Sequence, residues 1–415
     1  MEEFRTAMIV LGALLVLGAL VSGLTRRSFL SLTALYVLAG FALGQGGLEV
    51  LDFTAPEGFV EDLAIVALVV ILFRDGLEVE GEMLQREWRL PLRKLVLAMP
   101  ITAVIIAAAG HWIAGLTWLE AALLGSLLSP TDPVLSSSVV TNPRVPRLIR
   151  HSLNLESGLN DGLALPPVLA FSAALAVGES DFVWWRFILE DLTIGFAAGL
   201  ALGWAASRLL PRSGPYQEAI PEHQKVLYAI GVAVLTYGLL AVAEHGNPFI
   251  AVYVCAMVLG IRRPDVRRHV ERGASEIVEI VKLGVFVVFG AILTLDGLFQ
   301  DGWAAVAVVI VTLLVARPVA VWLALLGVHS VDREGKAFMA WFGPKGVATM
   351  TYSLLILGQG VPAAAEITNL AALCVVTSII AHGLTDTPGA NWMARHTERA
   401  EAERRAREPE PAGTG

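Results

Sequence analysis

Five ionisable side chains fall inside otherwise apolar runs, and their types and spacing limit what they can do. Asp132 sits between Pro130 and Pro133 in LLSPTDPVLSSS. Glu156 and Asp161 share NLESGLNDGLALPP with Ser157 and Asn160. Arg317 lies in ARPVAV, and Lys345 lies in AWFGPKGVATM between Pro344 and Gly346. A charge at the centre of a bilayer costs roughly 2.5–3.5 kcal/mol on insertion scales, so each of these groups needs a partner, a wet cavity or a task. On a helix Ser157 and Asp161 share one face, and Glu156 and Asn160 share another about 100° away. One stripe offers a carboxylate and a hydroxyl to a cavity. The other offers a carboxylate to Arg317 and an amide to the segment around Thr131 and Asp132. Such oxygens suit a hard monovalent cation, and the same carboxylates can take a proton instead.

The elements that must position these groups are membrane helices. At 415 residues, 55% hydrophobic and 16% charged, with a mean hydropathy of +0.66, the chain carries too much apolar surface for one water-soluble core, which excludes a soluble enzyme. Runs such as residues 8–24 show no in/out alternation, which excludes a transmembrane β-barrel. The expected fold class is an all-α polytopic membrane protein. Thirteen transmembrane helices are predicted, at 6–24, 28–46, 59–78, 92–114, 119–141, 150–177, 185–210, 224–244, 247–262, 274–298, 303–327, 335–358 and 365–386. The fifth and twelfth are interrupted: Pro130 and Pro133 remove amide donors around Asp132, and Gly343, Pro344 and Gly346 surround Lys345. Each break lies in the next-to-last span of a six-span block, with span seven as connector, so the blocks form two inverted-topology six-helix repeats whose broken helices 5 and 12 cross at the midplane. Half-helices ending there aim unpaired carbonyls and amides at one place where an ion can shed its water.

The net charge of −8 says nothing in favour of a nucleic-acid partner, and the placement of the cations is more informative. Of the 30 Lys and Arg residues, 25 fall after odd-numbered spans or in the tail, among them Arg74, Lys94, Arg147, Lys225 and the five arginines between 262 and 272. The opposite side holds Arg5 and Arg186. The positive-inside rule puts the N-terminus outside and the C-terminus in the cytoplasm. The first span is too long for a signal peptide and reads as retained. Residues 395–415 are charged and poor in apolar residues, and read as a cytoplasmic tail, partly helical and largely disordered. Cys255 and Cys374 lie inside spans and read as packing residues. No cofactor is expected.

SPTDPV, followed about 24 residues later by LESGLND and then by the GPKG break, resembles the NhaP-type sodium/proton antiporters of the cation:proton antiporter superfamily, over essentially all of residues 1–394. The resemblance implies Asp161 as shared ion and proton carrier, with Asp132, Ser157 and Thr131 completing a Na+ site. It counts Glu156 among the ion- and proton-binding residues while pairing it with Arg317, and makes Asn160 the tie to the unwound part of span five. Asn160-Asp161 resembles the electroneutral branch of that family, which implies one proton for one Na+ or Li+ and a role in pH homeostasis. Many relatives carry arginine where this chain has Lys345. A fork-like bond is lost there, but a point charge facing helix C-terminal carbonyls survives. The resemblance further implies a homodimer, while 25 arginines against five lysines point to a prokaryotic plasma membrane and the inverted repeats to alternating access. Residues 92–180 and 301–394 would be the ion-translocating core, 1–91 and 181–300 the scaffold, dimer-interface and connector helices.

The remaining charges read as local. Glu279 and Lys282 form an i,i+3 pair on span ten, Asp75 pairs near Arg74, Glu190 and Asp191 face the outer surface, and His151 is interfacial. Three rivals remain: the same fold selecting K+, an intramembrane aspartyl protease, for which no GxGD string is present, and a channel.

Overall fold

Apolar runs without alternation satisfy their backbone in lipid as helices, and in the computed structural model every regular element among the described residues is helical. The structure describes residues 9, 12–20, 32–53, 58–79, 88–132, 139, 141–178, 180–211 and 220–407, the side chains of Ser275 and of residues 400–407 excepted. Residues 6–8, 10, 11 and 21–24 of the first predicted span, Arg26, Arg27, Arg86, Pro133, Arg212 and the end of the tail from 408 lie outside the described residues.

In chain order the helices are α1 (Leu32–Leu43), α2 (Gly58–Glu78), α3 (Arg89–Trp112), α4 (Trp118–Leu128), α5 (Arg147–Val177), α6 (Trp184–Leu209), α7 (Glu222–Ala243) and α8 (Pro248–Arg262). After them come α9 (Pro264–Gly273), α10 (Ser275–Ala291), α11 (Trp303–Ala324), α12 (Arg333–Trp341), α13 (Val347–Gly358) and α14 (Ala364–Arg407). Six of them, α3, α5, α6, α7, α11 and α14, are long and apolar enough to cross a membrane, and α1, α4, α8 and α13 are shorter apolar helices. Exposed Trp112, Trp118, Trp184, Trp185 and Trp303 stand at helix ends opposite the arginine-rich loops, as an interfacial aromatic belt does.

Close helix packing comes from small residues. Gly195, Gly199 and Gly203 repeat every fourth position of α6 along α8, and a Cβ at Gly199 or Gly203 would lie 2.6 Å from the carbonyl oxygen of Ala251 or Cys255. This is small-residue packing, in which backbones approach because nothing stands between them. Where the structure departs from the predicted spans, local packing explains it. Span ten ends at Ala291 and is followed by a separate turn at Leu295–Leu298, started by the Thr294 side chain accepting from Gly297 N. The last helix runs on to Arg407 instead of ending near 386, because Ala390 and Met393 keep burying against the cluster that holds Phe338 and Phe342.

The two interrupted helices meet. After α4 the backbone is non-helical through 129–132, and between α12 and α13 it is non-helical through 342–346. Asp132 N donates to Pro344 O across 2.8 Å, and Thr349 Oγ1 donates to Leu127 O across 2.8 Å. Backbone groups freed by the prolines and glycines are thus satisfied by the other break, as buried polar groups must be.

Candidate ion site

Helix α5 runs beside this crossing and carries polar groups on two faces. The first face opens on a cavity of about 350 Å³, lined among others by Asp75, Glu78, Asp132, Ser157, Asp161 and Lys282. Asp132 comes from the first break, Ser157 and Asp161 from α5, Asp75 from the end of α2 and Lys282 from α10. Asp75 and Asp161 line the same cavity, so together they can share one proton or one cation between them. The Asp161 backbone is pinned as well: Tyr352 Oη donates to its carbonyl across 2.7 Å, and Tyr253 Oη donates to Gly158 O across 3.2 Å. Gly162 lies under the Tyr253 ring, where a Cβ would collide.

The second face is closed. Arg317 Nη1 donates to Glu156 Oε1 across 2.9 Å and Nη2 to Oε2 across 3.3 Å, and the Lys94 ammonium pairs with the same carboxylate. All three groups are buried, a setting in which a carboxylate is tolerable because it is paired and hydrogen-bonded. Arg317 Nη1 also donates to Thr131 Oγ1 at 3.4 Å, and Nη2 to Met339 O at 3.4 Å and Phe342 O at 3.3 Å. Any side chain at Gly343 would strike the guanidinium. Both cations sit beside wide, π-type turns: Lys94 opens the one at Lys94–Ala98 in α3, and Arg317 follows the one at Val311–Ala316 in α11. An extra residue in a turn re-aims the side chains next to it.

Asn160 Nδ2 donates to Thr131 O across 2.6 Å and to Thr131 Oγ1 across 3.2 Å, tying α5 to the unwound segment. Lys345 Nζ donates to Pro130 O across 3.4 Å and faces the C-terminal end of α4, where a positive point charge is favourable.

The structure brings Asp132, Ser157 and Asp161 together at the cavity but turns two members of the expected ion set away. Glu156 is committed to Arg317 and Lys94, and the Thr131 hydroxyl is engaged by Asn160 and Arg317. Neither lines the cavity. Sequence reasoning also misplaced three residues. Lys94, counted with the loop cations, is fully buried. Asp75 faces the cavity, while Arg74 Nε donates to Glu78 Oε1 across 2.8 Å. Lys282 forms no ion pair with Glu279 and lies on the cavity wall. The available signal was depth, clearest for Lys282, which sits more than a turn inside α10, where charge is costly.

Residues 12–392 match the family described as sodium/hydrogen exchanger, transmembrane. The K(+)/H(+) antiporter NhaP of Alkalimonas amylolytica is 26% identical over 399 residues, 95% of this chain and 68% of that protein. The K(+)/H(+) antiporter NhaP2 of Shewanella sp. (strain ANA-3) is 25% identical over 397 residues, 92% of this chain and 66% of that one. The Na(+)/H(+) antiporter NhaG of Bacillus atrophaeus is 26% identical over 317 residues, 73% of this chain and 58% of that protein. The chain thus spans about two thirds or less of the length of these relatives. Among solved structures, the sodium proton antiporter MjNhaP1 from Methanocaldococcus jannaschii at pH 8 shares the fold, with a TM-score of 0.79 at 19% identity over 94% of this chain and 99% of that one. The match is to a family of transporters, which gives no support to the protease reading. With both breaks, Glu156 and Asp161 on the two faces of α5 and the family match over most of its length, the chain belongs to the sodium/hydrogen exchanger family, as an NhaP-type cation:proton antiporter.

Proposed function

We propose that the chain exchanges one monovalent cation for one proton, with Asp161 holding each in turn. The observation that carries this reading is the meeting of two interrupted helices beside a cavity that ends on Asp132, Ser157 and Asp161. Carboxyls that accept either a cation or a proton couple the two, because loading one expels the other. Asp75 adds a further oxygen ligand. Asn160 beside Asp161 supports the electroneutral stoichiometry, since that pair carries a single titrating charge. Glu156, Arg317, Lys94, Thr131, Asn160 and Lys345 hold the crossing rigid. Residues 92–180 and 301–394 move as the ion-carrying bundle against the helices of 1–91 and 181–300, in a homodimer in the plasma membrane of a prokaryote. The N-terminus lies outside, and the cavity, lined by Arg74 and Glu78 at the end of α2 and by Glu271 near the end of α9, faces the cytoplasm, the side of the arginine-rich loops.

Na+ or Li+ is the first reading of the cation. K+ is the second, favoured by the K(+)/H(+) names of two relatives that match over 92% or more of this chain. Proteoliposomes holding wild type or Asp161→Asn, given Na+, Li+ or K+ while internal pH is followed with and without an imposed potential, separate these readings. Proton movement driven by one cation, insensitive to potential and lost in the variant is expected. A rate that follows the potential removes the one-for-one stoichiometry, and proton movement by no cation removes the exchange reading.

A further inference from the structure

The cavity wall opposite Asp161 carries a cation that the exchange reading leaves unused. Lys282 projects from α10, half-buried, into the cavity that holds Asp75, Asp132 and Asp161. The other charged groups around it are Arg74, Glu78 and Glu271. Arg74 is held by Glu78 at 2.8 Å, and Glu271 pairs with Arg267 at 3.4 Å. No ion pair within 4 Å holds Lys282 among the described residues. Its i,i+3 acid, Glu279, does not line the cavity, whereas Asp75, Asp132 and Asp161 share that lining with Lys282.

Resting on the exchange reading, we infer that Lys282 is a tethered competitor of the transported cation, taking the place of a bound cation opposite Asp161 whenever the site holds neither cation nor proton. An ammonium on a flexible four-carbon stem is a monovalent point charge that its own helix keeps at high local concentration. Because α10 belongs to the stationary helices and Asp161 to the moving ones, this attraction also holds the unloaded bundle in place. Binding a proton or a cation cancels the carboxylate charge and releases it. The bare site therefore does not cross the membrane, which keeps the exchange coupled. The effect is one-sided, since Lys282 lines only the cavity open in this state.

The test uses the full chain in proteoliposomes as wild type, Lys282→Gln and Lys282→Arg, with initial rates measured against cation concentration on the cavity side. Removing one positive charge across such a cavity lowers the KM for the cation roughly fivefold. Turnover does not fall, one-way cation efflux without a counter-proton rises, and Lys282→Arg stays near wild type. A Lys282→Gln KM within twofold of wild type, or raised, overturns the inference. If wild type itself exchanges nothing, it is the exchange reading that fails. Where Lys282→Gln inserts poorly, the cation concentration that half-saturates thermal stabilisation of Lys282→Met in detergent reads the same competition, and an unchanged midpoint overturns it.

Discussion

Glu156 and Asp161 stand five residues apart on one helix, and the protein surrounds them in opposite ways. Glu156 is enclosed by two cations from two other helices, Arg317 and Lys94, and does not line the cavity. Asp161 faces a cavity that it shares with two other aspartates and with Lys282, which has no ion-pair partner within 4 Å among the described residues. A carboxylate whose charge is already matched at hydrogen-bond distance has nothing left to offer a passing ion and acts as a frame. One that meets other carboxylates across open space must borrow a positive charge, from a proton, a cation or Lys282. The contrast is between completed and incomplete charge balance, and burial alone does not distinguish the two.

The sharpest way to break this contrast is to remove each carboxylate in turn. Asp161→Asn is expected to slow exchange at least about a hundredfold while the protein stays folded, because the Tyr352 bond to its backbone carbonyl survives. Flux in vesicles and chromatographic homogeneity of the same sample check both halves of the statement. Glu156→Gln leaves two buried cations without their anion, which costs about 3–5 kcal/mol. It is expected to show as loss of folded protein on heating, partly restored by adding Lys94→Met. A Glu156→Gln protein as stable as wild type but unable to exchange would merge the two faces into one.

Smaller changes sharpen the frame side. Gly343→Ala drives a methyl into the Arg317 guanidinium, and overpacking of this kind costs about 1–3 kcal/mol. Measured stability should fall by that amount, and exchange should slow as Arg317 tilts away from Glu156. The smallest effect lies outside the membrane. Burial works to raise the Asp332 carboxyl, but the His396 ring and the Gly335 amide outweigh it and hold the carboxyl below its ordinary value. A depressed carboxyl stabilises the fold at pH values above its unfolded range and loses that contribution as pH falls through the folded one. Asp332→Ala, removing this half-exposed cap of α12, is expected to cost about 1 kcal/mol or less near neutral pH and still less in acid, as read by thermal unfolding at the two pH values.

What could be read from the sequence was whatever depends on neighbours along the chain. The prolines around Asp132 and the glycines around Lys345 announce breaks because their effect on the backbone is local, and the i,i+4 spacing within α5 separates its two stripes without reference to any other helix. The Glu156 and Arg317 partnership spans 161 residues and was legible because each is a charge inside an apolar run that needs a partner, a pairing the family resemblance also implies. Lys94, Asp75 and Lys282 were misassigned because their roles depend on how α2, α3 and α10 rotate against α5. A charged residue near a helix end looks the same in sequence whether it points to water, to a cavity or to a partner. Thr131 shows the same limit at shorter range: the sequence puts it beside Asp132, but the break turns its hydroxyl to Asn160 and Arg317.

The most direct test of the division between carrier and frame is the shift in unfolding midpoint that the transported cation produces in purified protein at fixed pH, since a ligand stabilises a fold only through the site that binds it. Wild type should show a saturable rise, Asp161→Asn should show none, and Glu156→Gln should start lower yet rise by a similar amount. Cation stabilisation that survives in Asp161→Asn and disappears in Glu156→Gln would contradict the account.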